Sequence, residues 1–417
     1  MQYDRGGRHS AEQHVVVWHV RYKGRWVTDD RMAAAKKAAA AFSARRLRLA
    51  RESRGLTQRA LADEMQRRND GEPVISAAAI SQAERDHEHT TPRPEHLLAL
   101  AEALDYSVRF FELRPSDRNE PAQVFFRYLR STPAYERRKC DSFVQIVEIV
   151  VNTLENHVVL PPWEQFWSRR DIDPSAPVAN VASVIEDAAA EVRRQLRLEK
   201  GPIDRPLTAI ERAGVVVVRD PDLGDKLTMA PHHGSQQVDA YSDTRGRRPI
   251  VVLTGAPGIP WDRDNHNVSH ELGHIVLHTN AGRGPKAIED QAHRFAAAFL
   301  APADDVFDEL PDTIDWHDYY ELKLRWGMSI AALIRRAYDL GKLTKDQYVR
   351  AMKYRSAHGW RTFEPGHDVK PLLRPRMLAL AIEASGLSRQ HLSELTGVPN
   401  ELLDRIIGPG PEPIIAL

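Results

Sequence analysis

Asn267-Val268-Ser269-His270-Glu271-Leu272-Gly273-His274-Ile275-Val276-Leu277-His278 is the stretch whose residues decide the fold. His270 and His274 stand four apart, so on a helix they share a face about one turn apart and both reach one ion. Zinc takes imidazole nitrogen at ~2.0–2.1 Å, and its catalytic sites use three protein ligands plus water. Glu271, adjacent to the first of the pair, can take the proton from that water. Val268, Leu272, Ile275 and Val276 supply the apolar body that buries such a helix. The segment thus predicts an internal helix with two metal ligands and a general base.

A third ligand has to come from elsewhere. His278 is eight residues beyond His270, about 12 Å along a straight helix at ~1.5 Å per residue. No glycine between His274 and His278 turns the chain back, and the position suits a cation at a helix C-terminus, just before Thr279-Asn280-Ala281-Gly282. The stronger candidate is Glu289, in Glu289-Asp290-Gln291-Ala292-His293-Arg294-Phe295-Ala296-Ala297-Ala298-Phe299-Leu300-Ala301-Pro302. Ala292, Phe295, Ala296 and Phe299 make the buried stripe of a second helix that packs on the first and carries Glu289 in its first turn. Asp290 is the competing carboxylate, pointing about 100° away.

Outward from this pair the pattern changes. Upstream, short apolar runs at 215–218, 226–229, 238–242 and 250–253 read as strands separated by turns. Before them, Val184, Ile185, Ala188, Val192 and Leu196 mark a helix over 183–198, stopped by Gly201-Pro202. Residues 168–180, with Asp171, Asp173, Pro174 and Pro177, read as a loop, and 123–157 as helix. Downstream of 253 the chain is helical nearly to its end. The fold class is therefore mainly α with a small β-sheet (α+β).

The chain has 417 residues, with 42% hydrophobic and 28% charged residues, an ordinary globular balance over more than one core. One cysteine, Cys140, excludes an internal disulfide framework and a Cys-rich zinc site, whereas eighteen histidines leave a His/carboxylate site open. No apolar run approaches the ~20 residues that span a bilayer, and residues 1–9 are polar, without the apolar core of a signal peptide. A soluble cytoplasmic protein with no membrane partner is expected. The formal charge is zero, yet residues 31–60 carry nine basic side chains (Arg31, Lys36, Lys37, Arg45, Arg46, Arg48, Arg51, Arg54, Arg59) against one acid, Glu52.

That basic stretch overlaps a set of helical signals. Ala44 to Arg51 forms a first helix with Leu47 and Ala50 inward, and Thr57 is the N-cap of a second carrying Ala60, Leu61 and Met65. Residues 76–85 form a third with Ile80 buried, and Leu97, Leu98, Leu100, Ala101 and Leu104 close the group. This resembles the XRE (Cro/CI-like) helix-turn-helix family. The resemblance implies Gln58 near a phosphate, and Ala77, Ala78, Ser81, Gln82 and Arg85 near base edges of a double-stranded DNA operator, bound by a homodimer. Residues 66–73 (QRRNDGEP) are an insertion where such turns are short. A hairpin around Lys23-Gly24 and a basic helix precede the domain. A helix pair at 387–407 has similar spacing, which serves packing as readily as DNA contact.

The segment from His270 to His278, followed by Glu289-x-x-Ala-x-x-Phe-Ala-Ala-x-Phe-Leu-x-Pro302, resembles the ImmA/IrrE family of metallopeptidases. Glu186, Gly201-Pro202-Ile203, the strand at 238–242, the stretch 326–341, Gly359-Trp360-Arg361 and Glu364-Pro365-Gly366 extend the resemblance over about 180–366. It implies a gluzincin-type site with His270, His274 and Glu289 as ligands, Glu271 as base, and Zn2+ bound, with Mn2+ tolerated. It also implies a protease that cleaves helix-turn-helix repressors. Two positions depart from the family: Ser269, where Ala is usual, and His293, where Asp or Asn often stands as an acceptor behind a ligand histidine.

The expected layout is an N-terminal hairpin and basic helix (1–43), a helix-turn-helix domain (44–114), a helical linker region (122–180), a metallopeptidase domain (181–310) and a C-terminal helical region (311–417). The expected function is a DNA-binding regulator that cleaves a repressor, either a partner or itself, the latter at 115–121. The alternative is a non-proteolytic ligand- or metal-sensing transcription factor of a mobile-element, defence or toxin–antitoxin system.

Overall fold

In the computed structural model, residues 19–22, 25–85, 91–112, 134–163, 172–173, 175–220, 239–255, 258–278, 286–361 and 363–408 are described. They fall into two units, Met1–Arg51 with Leu56–Pro115 and Glu52–Gly55 with Ser116–Leu417. The chain is mainly α with a small β-sheet.

In the first unit, β1 (His19–Tyr22) and β2 (Arg25–Thr28) pair antiparallel with Tyr22 opposite Arg25; the expected turn residues Lys23 and Gly24 lie outside the described residues. Residues 14–18 of that expected hairpin lie outside the described residues. Helices α1 (Asp29–Ala40), α2 (Ala44–Ser53), α3 (Gln58–Arg68), α4 (Ala77–Ala83) and α5 (Pro94–Leu104) follow. Leu47, Ala50, Leu61, Met65, Ile80, Leu97, Leu100 and Leu104 are buried, matching the apolar periodicity. Thr57 caps α3 by accepting the Ala60 N–H, and Ser76 caps α4 by accepting that of Ala79. The insertion is part helix: residues 66–68 lengthen α3. The turn then forms at Asp70 and Gly71, both at positive φ, with the Gln66 amide donating to the Gly71 carbonyl.

The second unit begins with α6 (Ala134–Leu154), whose Phe143, Val144, Ile146, Val147, Val150 and Val151 are buried. The expected helix residues 123–133 and the stretch 115–121 lie outside the described residues. Helix α7 (Val178–Gln195) starts five residues before the apolar pattern does, because Pro177 is an N-cap rather than part of a loop. After α8 (Pro206–Arg212) come β3 (Val216–Asp220), β4 (Ala240–Asp243) and β5 (Ile250–Thr254), in the order β3-β5-β4. Strand β3 runs parallel to β5, and β4 runs antiparallel to it, at the edge among the described residues. The strand expected at 226–229 lies outside the described residues.

Helix α9 (Trp261–Leu277) packs on β4, β5 and α8, and α10 (Lys286–Leu300) packs on both α9 and α7. Val268, Leu272, Phe295, Ala296 and Phe299 fill the seam. Gly273 permits a close approach: a Cβ there would lie 3.1 Å from Phe295 Cδ1 and 3.2 Å from the Ala292 carbonyl oxygen. Behind α10, the fully buried Arg336 donates to Glu186 and to the Ala301 carbonyl, and Arg294 bridges Glu186 and Asp339. Short α11 (Ala303–Val306) leads to α12 (Trp316–Trp326), α13 (Ile330–Asp339) and α14 (Lys345–Ala357). Glu364 accepts the first N–H groups of α13, from Ile330 at 2.7 Å and Ala331 at 3.1 Å, placing an anion where the helix dipole favours one.

The C-terminal helices α15 (Met377–Ser385), α16 (Arg389–Thr396) and α17 (Asn400–Ile407) turn inward. Helix α16 packs on α6 and α17 on β3, with Leu392, Leu403, Ile406 and Ile407 buried. Arg405 pairs with the buried Asp220, and Arg389 with Asp404. The pair at 387–407 is a packing unit of the second body.

Candidate metal centre and nucleic-acid interface

Helix α9 sets the geometry of the centre. His270 and His274 project from one face with their Nε2 atoms 3.0 Å apart, and both are buried. Glu289, in the first turn of α10, places Oε2 3.4 Å from His270 Nε2 and Oε1 3.6 Å from His274 Nε2. Asp290, the competing carboxylate, is exposed. The sequence-predicted trio is therefore brought together from two helices whose apolar seam fixes their separation.

Glu271 is 1% exposed and accepts a hydrogen bond from Ser242 Oγ at 2.6 Å. Ser242 lies on β4, so the sheet edge orients the carboxylate. Glu271 also has a carboxylate oxygen within 4.8 Å of ligand atoms of His270 and His274, close enough to act on anything held between them.

His278 departs from expectation. It is buried, 1% exposed, and burial pushes its imidazole down to about 4, so it is neutral rather than a helix-terminal cation. Its surroundings fix the protons. The Gln291 amide donates to the carbonyls of Asp173 (3.1 Å) and Ala176 (2.8 Å), which turns Gln291 Oε1 toward His278 Nε2 at 2.8 Å. His278 Nε2 must therefore carry its proton, leaving Nδ1 as acceptor. His274 Nδ1, 3.2 Å away, donates to it, and His274 Nε2 presents a lone pair toward Glu289. Sequence spacing alone offered His278 no such role. His293, the expected neighbour of a ligand histidine, has its ring centroid 4.4 Å from that of His270, and its Nδ1 meets His266 Nε2 at 3.0 Å. Ser242, Gln291 and His266 were not singled out from the sequence; only His266, one helical turn before His270, carried a spacing signal.

In the first unit, Ala78, Gln82 and Arg85 are exposed, and Ala77 and Ser81 half-buried. Helix α4 ends at Ala83, two residues earlier than expected, so Arg85 sits beyond the helix. The reason is Glu84: its carboxylate is drawn into the interior by Arg51, with Nε–Oε1 at 2.5 Å and Nη2–Oε2 at 2.8 Å. Gln58 donates its amide to the same carboxylate at 2.8 Å, so the side chain expected near a phosphate is fixed by an internal contact. Arg46 is also buried, over the Phe110 ring. Part of the basic excess read from the sequence thus holds the helices together.

A model of the peptidase family described as the IrrE N-terminal-like domain matches residues 211–338, and a helix-turn-helix family model matches 47–111. The chain joins a helix-turn-helix domain to an IrrE-like domain. No curated protein matches it. The IrrE-like match begins at the end of α8 and covers both helices of the centre, the three-stranded sheet, α12 and most of α13. The helix-turn-helix match takes in α3 and α4 and runs through α5. Among the described residues, no helix is long and apolar enough to cross a membrane.

Proposed function

We propose that this chain is a DNA-binding regulator whose IrrE-like domain is a metal-dependent endopeptidase, and that its substrate is a helix-turn-helix repressor, either a partner protein or its own N-terminal domain. The observation that carries this reading is Glu289, delivered from a second helix to within 3.4 and 3.6 Å of two histidine nitrogens that face each other at 3.0 Å. Ligands around a tetrahedral zinc at ~2.0–2.1 Å lie about 3.3 Å apart, so the donors present fit such an ion, Zn2+ first and Mn2+ as a substitute. His270, His274 and Glu289 would hold it, and it would supply Lewis acidity to the scissile carbonyl.

The chain's own groups do the rest. Glu271, oriented by Ser242, takes the proton of the attacking water and returns it to the leaving amine. His278 and Gln291 keep His274 in the tautomer that points its Nε2 lone pair into the centre. Among the described residues strand β4 stands at a sheet edge, where an extended substrate would add by main-chain pairing beside Glu271. On the DNA side, Gln82 and Arg85 would approach base edges together with Ala77, Ala78 and Ser81. Gln58 gives one amide N–H to Glu84 and would offer its second to a phosphate at the α3 terminus, with two copies of the chain on two half-sites.

The test is incubation of metal-loaded protein with candidate repressors, with and without operator DNA. Discrete fragments should appear with wild type and vanish with Glu271→Gln, a loss of 100-fold or more if Glu271 is the general base. No fragment under any inducing condition, with metal bound and DNA binding intact, would overturn the proteolytic reading.

A further inference from the structure

Four histidines occupy every fourth position of the α9 segment: His266, His270, His274 and His278. The proposed function uses the middle two as ligands, and His278 orients one of them. His266 has no part in that chemistry, and neither does His293 on α10. These two meet: His266 Nε2 lies 3.0 Å from His293 Nδ1, the same separation as between the Nε2 atoms of His270 and His274. The His270 ring lies beside them, 4.4 Å from His293 between centroids. One nitrogen from each of His266, His270 and His293 lies within 4.8 Å of the other two.

We propose that His266, His293 and His270 form a second metal position next to the first, for a divalent ion of the zinc, cobalt, nickel and copper group. Three imidazoles with no thiolate suit these borderline ions and not Mg2+ or Ca2+, which take oxygen ligands. His266 and His293 are half-buried, so an ion can enter from solvent and keep a water ligand. His270 is common to both positions. An imidazole has two nitrogens, and Nε2 of His270 is the one turned to His274; the ring offers its other nitrogen to the second ion, its proton leaving to solvent when both positions fill. The residue that makes this possible is His293 on α10, whose Nδ1 faces His266 Nε2 across the two helices. The proposal rests on the metallopeptidase reading only through the shared His270.

The experiment counts ions. Full-length apoprotein is titrated with Zn2+ or Co2+, desalted and assayed for metal per chain, with the Co2+ visible spectrum as a second readout. Wild type should bind two ions, and His293→Asn and His266→Ala one each. His274→Ala should also bind one, now held by the second position, and its Co2+ spectrum should differ from that of His293→Asn. Circular dichroism checks folding; if His266→Ala does not fold, His293→Asn carries the test. One ion in wild type that survives His293→Asn and is lost in His274→Ala overturns the second position while leaving the first standing. Two ions that survive both His266→Ala and His293→Asn overturn it equally, and none in wild type overturns both positions.

Discussion

Glu271 shows how little of a site one residue carries alone. Its place after His270 is plain from the sequence, but the hydroxyl that aims it comes from Ser242, 29 positions away on a strand. No periodicity connects the two, so that partner needed the fold. Ser242→Ala should therefore lower turnover about 10-fold while leaving metal content unchanged, the pattern of a positioning group acting through a general base; equal turnover in the variant would refute the role. His278 was misread for a related reason: spacing placed it at a helix end, where solvent is the default, and the interior carbonyls that orient Gln291 are invisible in sequence. Because outer partners of ligand histidines commonly contribute 10–100-fold in metal affinity, His278→Ala should weaken Zn2+ binding by that order in a chelator competition. Another buried acid gives a pH signature. Burial raises the Glu211 carboxyl to about 7, against the N–H bonds it accepts from Arg376 and Met377. Between roughly pH 4.5 and 7 the native state keeps a proton that the unfolded chain has lost, so this group's contribution is full at acid pH and fades as pH rises. Thermal melts across that window should show a falling stability in wild type and a flatter profile in Glu211→Gln.

Helices α9 and α10 were legible as elements because their apolar stripes are strong; Val268, Leu272, Phe295 and Phe299 are all buried as their spacing requires. Element ends were less legible. Helix α7 begins at a proline-capped turn that reads as loop, and α4 stops early because a long-range ion pair claims Glu84. The Gly273 contact is also an element-scale fact: glycine lets two helices approach until a Cβ would sit 3.1 Å from Phe295. Gly273→Ala should force α10 outward, costing about 1–3 kcal/mol as an overpacked seam does. It should also weaken metal binding, since Glu289 rides on α10; chemical denaturation and metal titration of the same variant measure both. In the first unit, Arg51→Leu would leave the buried Glu84 carboxylate with the neutral Gln58 amide but without its cation. Breaking a buried pair from one side costs about 3–5 kcal/mol, so that variant should lose operator binding through unfolding, visible by circular dichroism. Gln82→Ala should lose operator affinity with the helical signal intact.

At the scale of the whole chain, the zero net charge conceals two different uses of arginine. In the first unit Arg46 and Arg51 are internal braces, while Arg85 is exposed beyond α4. In the second, Arg336 and Arg294 tie helices together through the half-buried Glu186, and Arg405 ties helix to sheet through the buried Asp220. Counting basic residues along the sequence found the DNA-binding region but overstated its free charge. One further consequence follows from the donors coming from separate helices. An ion that needs α9 and α10 in register binds the folded chain and not the unfolded one, so each occupied centre adds RT ln(1 + [M]/Kd) to stability, about 2.7 kcal/mol at a hundredfold excess over Kd. The lifetime of the molecule against unfolding and proteolytic turnover then tracks free metal, and chelation shortens it before any peptide bond is cut.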